Sequence, residues 1–149
     1  MKSDLGVIAL ALSLAGCSDL QSYPVSIKTE IGIVEYQVEV ADNLFERSRG
    51  LMRRQRLAPT AGMLFIYENV SEIEFWMKDV SIPLDIIFIN HCGLVVKIYK
   101  GAQPFDETPI PSEGPVKAAL ELNYKTVERD KIVLGNKITS PAISFEDCG

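Results

Sequence analysis

The sequence predicts a mainly β fold, a β-sandwich or a barrel-like sheet, with one or two short helices. Between residues 34 and 40 apolar and polar side chains alternate, which is the pattern of a half-buried antiparallel strand. Residues 63–67 and 82–89 are apolar on both faces with one exception, and this pattern suits strands that are covered on both sides. A length of 149 residues fits one domain with a sizeable core.

The first 16 residues are predicted to be a lipoprotein signal peptide. An apolar run from Leu5 to Ala15 follows Lys2, and this run is too short to span a bilayer as a helix. The segment Leu14-Ala15-Gly16-Cys17 resembles the lipobox of bacterial lipoproteins. The resemblance implies cleavage before Cys17 and diacylglyceryl modification of its thiol. The alternative is an ordinary cleaved signal in which the cysteine stands by chance.

The lipoprotein interpretation places the mature protein in the cell envelope, where a lipid on Cys17 holds it to a membrane that faces the periplasm. Ser18 follows the acylated residue. By the rule known for enteric bacteria, in which Asp at this position causes retention, Ser18 favours the outer membrane. Residues 17–24 are then predicted to be a lipidated tether, and residues 25–149 a single mostly-β domain.

The domain is predicted to begin with two strands across residues 25–40, with Gly32 at the turn or bulge between them. Asp42 is predicted to cap a short helix over residues 43–48, with Gly50 near its end. Five arginines between residues 47 and 56 form the one basic cluster of an acidic chain. This cluster is either a solvated face with a few ion pairs or a site for an anion, which arginine binds through two parallel hydrogen bonds.

The central stretch, residues 62–90, contains three apolar segments around which the rest of the chain is expected to be organised. Pro83 lacks an N–H and therefore belongs at the start or the edge of its strand. Asp85 stands on a face that is otherwise isoleucine, and a buried carboxylate is costly unless it is paired or hydrogen-bonded. We interpret Asp85 either as a structural carboxylate or as a site residue with a shifted pKa. Trp76 is either a core residue or a stacking surface for a flat ligand.

The rest of the chain is predicted to hold a hairpin turn, a strand, a long irregular loop, a second strand, one helical turn and a last strand. In order, these are residues 90–93, 94–100, 101–115, 116–123, 126–131 and 132–139. Cys92 and Cys148 remain available once Cys17 carries lipid, in a compartment where disulfides persist. They either form a bridge that stabilises the fold by about 2–4 kcal/mol or stay free thiols.

Six short motifs follow one another in a fixed order. They are Arg49-Gly50-Leu51-Met52, Gly62-Met63-Leu64-Phe65, Phe75-Trp76-Met77-Lys78, Ile82-Pro83-Leu84-Asp85-Ile86 with Phe88-Ile89, Pro109-Ile110-Pro111-Ser112 and Leu120-Glu121-Leu122. In order and spacing they resemble the bacterial domain-of-unknown-function family 192, over about residues 33–138. The resemblance implies a compact, mostly-β sandwich or barrel with short helices and frequent export, and the family supplies no established activity.

The chain departs from the family pattern in three places. It has Lys78-Asp79-Val80 where the family usually has Lys-Asn-Thr, and Asn123-Tyr124-Lys125 where glycines are usual. It has Gly135-Asn136 where the family usually has Gly-Asp. A polar site that used the Asn-Thr pair would be altered in this chain.

No catalytic template is complete in the sequence. One His and two available Cys are too few for a zinc site, which uses about four ligands. There is no GxSxG elbow, no phosphate-binding loop and no dinucleotide fingerprint. We therefore expect no metal and no cofactor. A net charge of −5 argues against nucleic acid, which requires a basic face.

What remains is a set of polar candidates beside an aromatic segment. They are Arg49, Arg53, Trp76, Lys78, Asp85 and Glu121. The preferred interpretation is a lipid-anchored envelope protein that binds an unknown small molecule or an envelope protein and performs no chemistry. The alternative is a small envelope hydrolase or lyase that uses Asp85 and Glu121, with Arg49 or Lys78 holding an anionic group. This alternative requires the two carboxylates to lie within about 10 Å of each other.

Overall fold

The computed structural model describes residues 20–149, so the predicted signal peptide and Cys17 lie outside the described residues. The described chain forms strands and two short helices in the following order. These are β1 Ser22–Thr29, β2 Gly32–Ala41, α1 Leu44–Arg49, β3 Ala61–Ser71, β4 Glu74–Phe75, β5 Leu84–Ile89, β6 Val95–Ala102, β7 Ile110–Pro111, β8 Val116–Asn123, α2 Thr126–Arg129 and β9 Lys137–Thr139. Within this range, no helix has the length and apolar character needed to cross a membrane.

Seven of the strands form one curled sheet in the order β6-β5-β8-β3-β2-β1-β9. The two end strands approach each other, because the Val95 amide at the start of β6 donates to the carbonyl of Asn136, just before β9. The sheet is therefore a half-barrel, and the predicted mainly β fold with one or two short helices is confirmed. β4 and β7 form a separate small ladder.

Two apolar clusters lie on the two faces of the central strands. The inner cluster fills the curl and includes Leu64, Ile87 and Leu120. The outer cluster includes Met63 and Ile86 from the same strands, and it is covered by the segments around Leu51, Phe75 and Ile110. The prediction that strands in the central stretch are buried on both faces is therefore confirmed for β3 and β5.

The domain begins earlier than the sequence suggested. Ser22 to Pro24, assigned above to the tether, are part of β1, and Ser22 pairs with Glu39 of β2. Pro24 is tolerated because β9 pairs only with residues 26–28 of β1, which leaves no neighbouring strand at that side of position 24. Within the described chain, only Leu20 and Gln21 therefore precede the first strand.

The helix α1 is capped by Asn43, not by Asp42 as predicted. The Asn43 Oδ1 atom accepts a hydrogen bond from the Glu46 N–H at 3.0 Å, which satisfies one free donor of the first turn. Gly50 ends the helix with a φ of 47°, a conformation that favours glycine. α1 belongs to a crossover, residues 42–60, because β2 and β3 run parallel and the chain must return to the same end of the sheet.

A disulfide joins Cys92 and Cys148, the pairing that the sequence left open. It fastens the C-terminal tail to the β5–β6 turn, where the Glu146 amide also donates to the His91 carbonyl. Among residues 20–149, His91 and these two cysteines are the one group dense enough in His, Cys and acidic side chains to suggest a metal site. The bond between the two sulfurs removes the thiolates that such a site would need.

Candidate functional site

The side chain of Glu121 is the most unusual group of the outer face. It lies on β8 between Met63 of β3 and Ile86 of β5, which both belong to the outer cluster. Only 4% of the residue is exposed, and no hydrogen bond or ion pair engages its carboxyl group within residues 20–149. Burial alone raises the pKa of Glu121 to about 8, so the carboxyl group is mostly protonated at neutral pH.

Glu121 lines a cavity of about 350 Å³ between the crossover and the outer face of the sheet. One wall is α1 with the turn that follows it, and the other is formed by β3, β4 and the residues after β4. The full lining is Leu44, Arg47, Ser48, Arg49, Gly50, Leu51, Met52, Phe65, Tyr67, Glu74, Phe75, Trp76, Val80 and Glu121. A volume of this order suits a small ligand.

Aromatic side chains give the cavity its rigid wall. The Phe65 and Phe75 rings meet edge to face with centroids 4.9 Å apart. Trp76, next to Phe75, is 49% exposed and therefore stands at the rim of the cavity. The interpretation of Trp76 as a core residue is wrong, because Trp76 directly follows β4 in a segment where exposed Glu74 and Trp76 alternate with buried Phe75 and Met77.

The two arginines of the lining differ in how their guanidinium groups are engaged within the protein. Arg47 donates to the backbone carbonyls of Asp42 and Ile66, and its guanidinium lies 5.0 Å from the Tyr67 ring centroid. Arg49 is exposed, and in the described part of the chain no hydrogen bond or ion pair holds its guanidinium. Arg47 is therefore a fixed part of the wall, whereas Arg49 is available to a ligand.

Tyr67 adds a hydroxyl to the same wall. Burial raises the pKa of Tyr67 to about 12; Arg47 opposes the increase and Glu121 adds to it. The tyrosine is therefore neutral throughout the physiological range and can donate a hydrogen bond. Neither Arg47 nor Tyr67 was among the residues selected from the sequence. Alternation along β3 would have indicated Tyr67, because it shares a face with Met63 and Phe65.

Three of the six predicted residues, Arg49, Trp76 and Glu121, line this one cavity. Arg53 and Lys78 do not. The Arg53 amide donates to the Asp79 carbonyl in an exposed turn. The Lys78 ammonium lies 5.3 Å from the Trp76 ring centroid, outside the lining.

Asp85 lies on the opposite face of the sheet from Glu121. It pairs with Leu122, an inner-cluster residue, whereas its neighbour Ile86 pairs with Glu121. The Asp85 oxygens accept hydrogen bonds from the amides of Gly101 and Val127, each at 3.0 Å. Asp85 is therefore the structural carboxylate, which fastens β6 and α2 to β5. The pairing of Asp85 with Glu121 in one active site is wrong, because side chains on opposite faces of a sheet cannot flank one substrate.

Comparison with known proteins identifies the chain by both sequence and fold. The family model DUF192 (Uncharacterized ACR) matches residues 25–140. A crystal structure of a candidate transcription regulator from Sinorhizobium meliloti 1021 is 33% identical, with a TM-score of 0.83, and the match covers 86% of this chain and 100% of that one. A protein of unknown function from Novosphingobium aromaticivorans DSM 12444 is 34% identical, with a TM-score of 0.80, and the match covers 93% and 99%. The search of curated proteins gave no match.

Proposed function

The chain belongs to the DUF192 family, and from that premise we propose that it is a lipid-anchored cell-envelope protein that binds a small anionic ligand in the Glu121 cavity without chemistry. The observation that carries the proposal is the buried Glu121 carboxyl group, which lacks a partner in the described chain and borders open space. The Glu121 oxygens are not among the fully enclosed unpaired polar atoms of residues 20–149, so they are reached through the cavity, where a ligand acceptor would replace solvent.

The lining favours a ligand with a flat or ring-shaped body and a carboxylate or phosphate group. Trp76 and Phe75 offer aromatic surface for the body. Arg49 offers a guanidinium, which grips a carboxylate or phosphate through two parallel hydrogen bonds. Protonated Glu121 is a donor and does not repel an anion, as an ionised carboxylate would.

Binding without chemistry is proposed because the described lining of the cavity offers no nucleophile beside a base. Its lining contains no His and no Cys, and Ser48 donates to the Phe45 carbonyl. The hydrolase alternative required Asp85 beside Glu121, but Asp85 lies on the opposite face of the sheet. Transcription regulation, the role given to the Sinorhizobium protein, is not part of the proposal, because a net charge of −5 disfavours nucleic acid.

The envelope location and the lipid anchor rest on the N-terminal residues. A short apolar run ends in Leu14-Ala15-Gly16-Cys17, and Ser18 favours the outer membrane over retention. A disulfide between Cys92 and Cys148 is in keeping with a compartment outside the cytoplasm. The periplasmic side of a membrane is therefore the proposed location.

The single tryptophan of the chain makes ligand binding directly measurable, because Trp76 stands at the cavity rim. Its fluorescence should be titrated with benzoate, its uncharged analogue benzamide, glucose and inorganic phosphate. We expect a saturable change with benzoate that Arg49→Ala weakens at least tenfold, the effect of losing a charge-assisted pair. The exposed Arg56→Ala is the matched control and should leave affinity unchanged. An absence of saturable change with every probe, or equal affinity in both variants, would overturn the proposed site.

A further inference from the structure

We infer that α1 and the turn after it, residues 44–56, form a membrane face that lies on the bilayer beside the lipid anchor. In this arrangement Leu44 and Phe45 enter the boundary between headgroups and acyl chains, and the exposed arginines lie against anionic headgroups. The inference rests on the proposed lipid at Cys17. It assigns to α1 a partner of stated chemistry, an anionic lipid surface.

The first argument is where the described chain begins. Leu20 borders one surface hollow together with Phe45 and Glu46 and a second together with Glu46, so the chain enters the fold beside α1. The Val40 amide donates to the Gln21 carbonyl, which holds this entry at the end of β2 that leads into α1. Leu20 is three residue steps after Cys17, and three extended steps span at most about 11 Å. A lipid on Cys17 therefore brings α1 within about two turns of helix from the bilayer.

The second argument is the unusual exposure of two large apolar side chains. Leu44 is 79% exposed and Phe45 is 72% exposed, and α1 has no buried residue. A helix that contributes nothing to the core yet presents adjacent Leu and Phe has an unpartnered apolar surface. Leu44 borders the Glu121 cavity and Phe45 a second hollow, so the exposed pair spans the outer surface of α1. Exposed Leu and Phe on a short helix, with arginines nearby, is the composition of interfacial membrane segments.

The third argument is charge. Residues 42–56 hold five arginines and two acids, Asp42 and Glu46, which gives +3 within a chain whose net charge is −5. Arg54 pairs with Glu39 and Arg47 is bound to backbone carbonyls. Arg49 belongs to the lining of the Glu121 cavity, so the exposed arginines left to the membrane face are Arg53 and Arg56. A local basic patch on an acidic protein is attracted to anionic lipid within about a Debye length, 8–10 Å at physiological salt.

A second exposed apolar pair, Ile31 and Ile33, lies neither near the start of the described chain nor in a basic patch. Ile31 and Ile33 are also exposed, the latter by 70%. They lie at the opposite end of the β1–β2 ladder from Ser22, about 20 Å away at 3.3 Å per residue. Glu30 and Glu35 flank the pair along the chain, and Lys28 and Lys137 pair beside Ile33, so the local charge is balanced and not basic. Ile33 is therefore a matched control for Phe45.

The test uses the full chain purified from membranes and returned to vesicles. The mass of the protein is measured first, to establish whether Cys17 carries diacylglyceryl. Phe45→Cys and, separately, Ile33→Cys are then labelled with a nitroxide, since the disulfide and the lipid occupy the other cysteines. Accessibility to lipid-soluble oxygen and to a water-soluble nickel complex is compared in phosphatidylcholine vesicles with and without phosphatidylglycerol.

We expect the oxygen-to-nickel accessibility ratio to be several-fold higher at position 45 than at position 33, and to rise further with phosphatidylglycerol. A lipidated chain in which both labels are equally aqueous would overturn the membrane face and leave the anchor intact. A mass without diacylglyceryl would overturn the anchor, and this inference with it, whereas the ligand proposal would be unaffected. Arg53→Gln together with Arg56→Gln should abolish the phosphatidylglycerol effect alone.

Discussion

Replacing Glu121 with Gln should remove most of the pH dependence of stability between pH 4.5 and 8. In the folded protein the pKa of Glu121 is raised from 4.5 to about 8 by burial. Between these values the folded protein holds a proton that the unfolded chain has released, so a rise in pH favours unfolding. The stabilising contribution is fully present below pH 4.5 and is lost as the pH rises to about 8.

The size of this change in stability follows from the difference between the two pKa values. At 1.36 kcal/mol per pKa unit, a shift from 4.5 to about 8 corresponds to a loss on the order of 5 kcal/mol. The slope attributable to this group is about 1.4 kcal/mol per pH unit, with plateaus below and above the interval.

The assay is urea unfolding of the disulfide-intact protein at intervals from pH 4 to 9. The difference in unfolding free energy between Glu121→Gln and the unmodified chain should grow in favour of the Gln variant as the pH rises to about 8. The exposed Glu72→Gln is the control, and its difference should stay flat. If the difference for Glu121→Gln also stays constant with pH, the Glu121 carboxyl group is not desolvated in the folded protein, and its description as a buried group of the cavity lining is wrong.

Four further outcomes follow from contacts described above. Benzoate affinity should fall above pH 8, where Glu121 ionises and repels the anion, and calorimetry of Glu121→Gln should show no such fall. Asp85→Asn should cost about 2–3 kcal/mol in urea unfolding, because one of the amides that it binds then meets a donor, whereas the exposed Asp147→Asn should cost little. Cys148→Ser should lower unfolding free energy by about 2–4 kcal/mol without changing benzoate affinity. Asn43→Ala should cost about 1 kcal/mol through the lost helix cap, and an equal stability would exclude that cap.

The sheet was predictable because the residues that the fold buries keep the alternating or continuous apolar patterns typical of strands. Alternation fixed β8 at residues 116–123, and apolar character on both faces marked β3 and β5 as central strands. The start of β1 was missed, since Ser22 and Pro24 read as tether. Pro24 is tolerated in β1 because β9 is too short to reach it. The sequence around Pro24 does not show how long the neighbouring strand is.

The candidate site was predictable only in part. Arg49, Trp76 and Glu121 were selected by residue type, and the fold brings them to one cavity. Asp85 was selected by the same criterion and lies on the other face. Alternation along β5 and along β8 shows which residues share a face within each strand. The pairing of Ile86 with Glu121 decides which faces coincide, and pairing register is a long-range property.

The crossover from β2 to β3 has a consequence for how this fold can diverge. Residues 42–60 carry one wall of the cavity and the proposed membrane face, yet they contribute no strand to the sheet. Their ends are fixed by the parallel pairing and by the hydrogen bond from the Gln37 amide to the Thr60 carbonyl. Because doubling the length of a loop costs only about 0.6 kcal/mol of closure entropy, the length of this segment can change at small cost wherever an apolar residue still fills the place of Leu51 in the outer cluster. A different crossover of this kind would change the wall of the Glu121 cavity and the exposed face of α1 while the strand order of the sheet is kept.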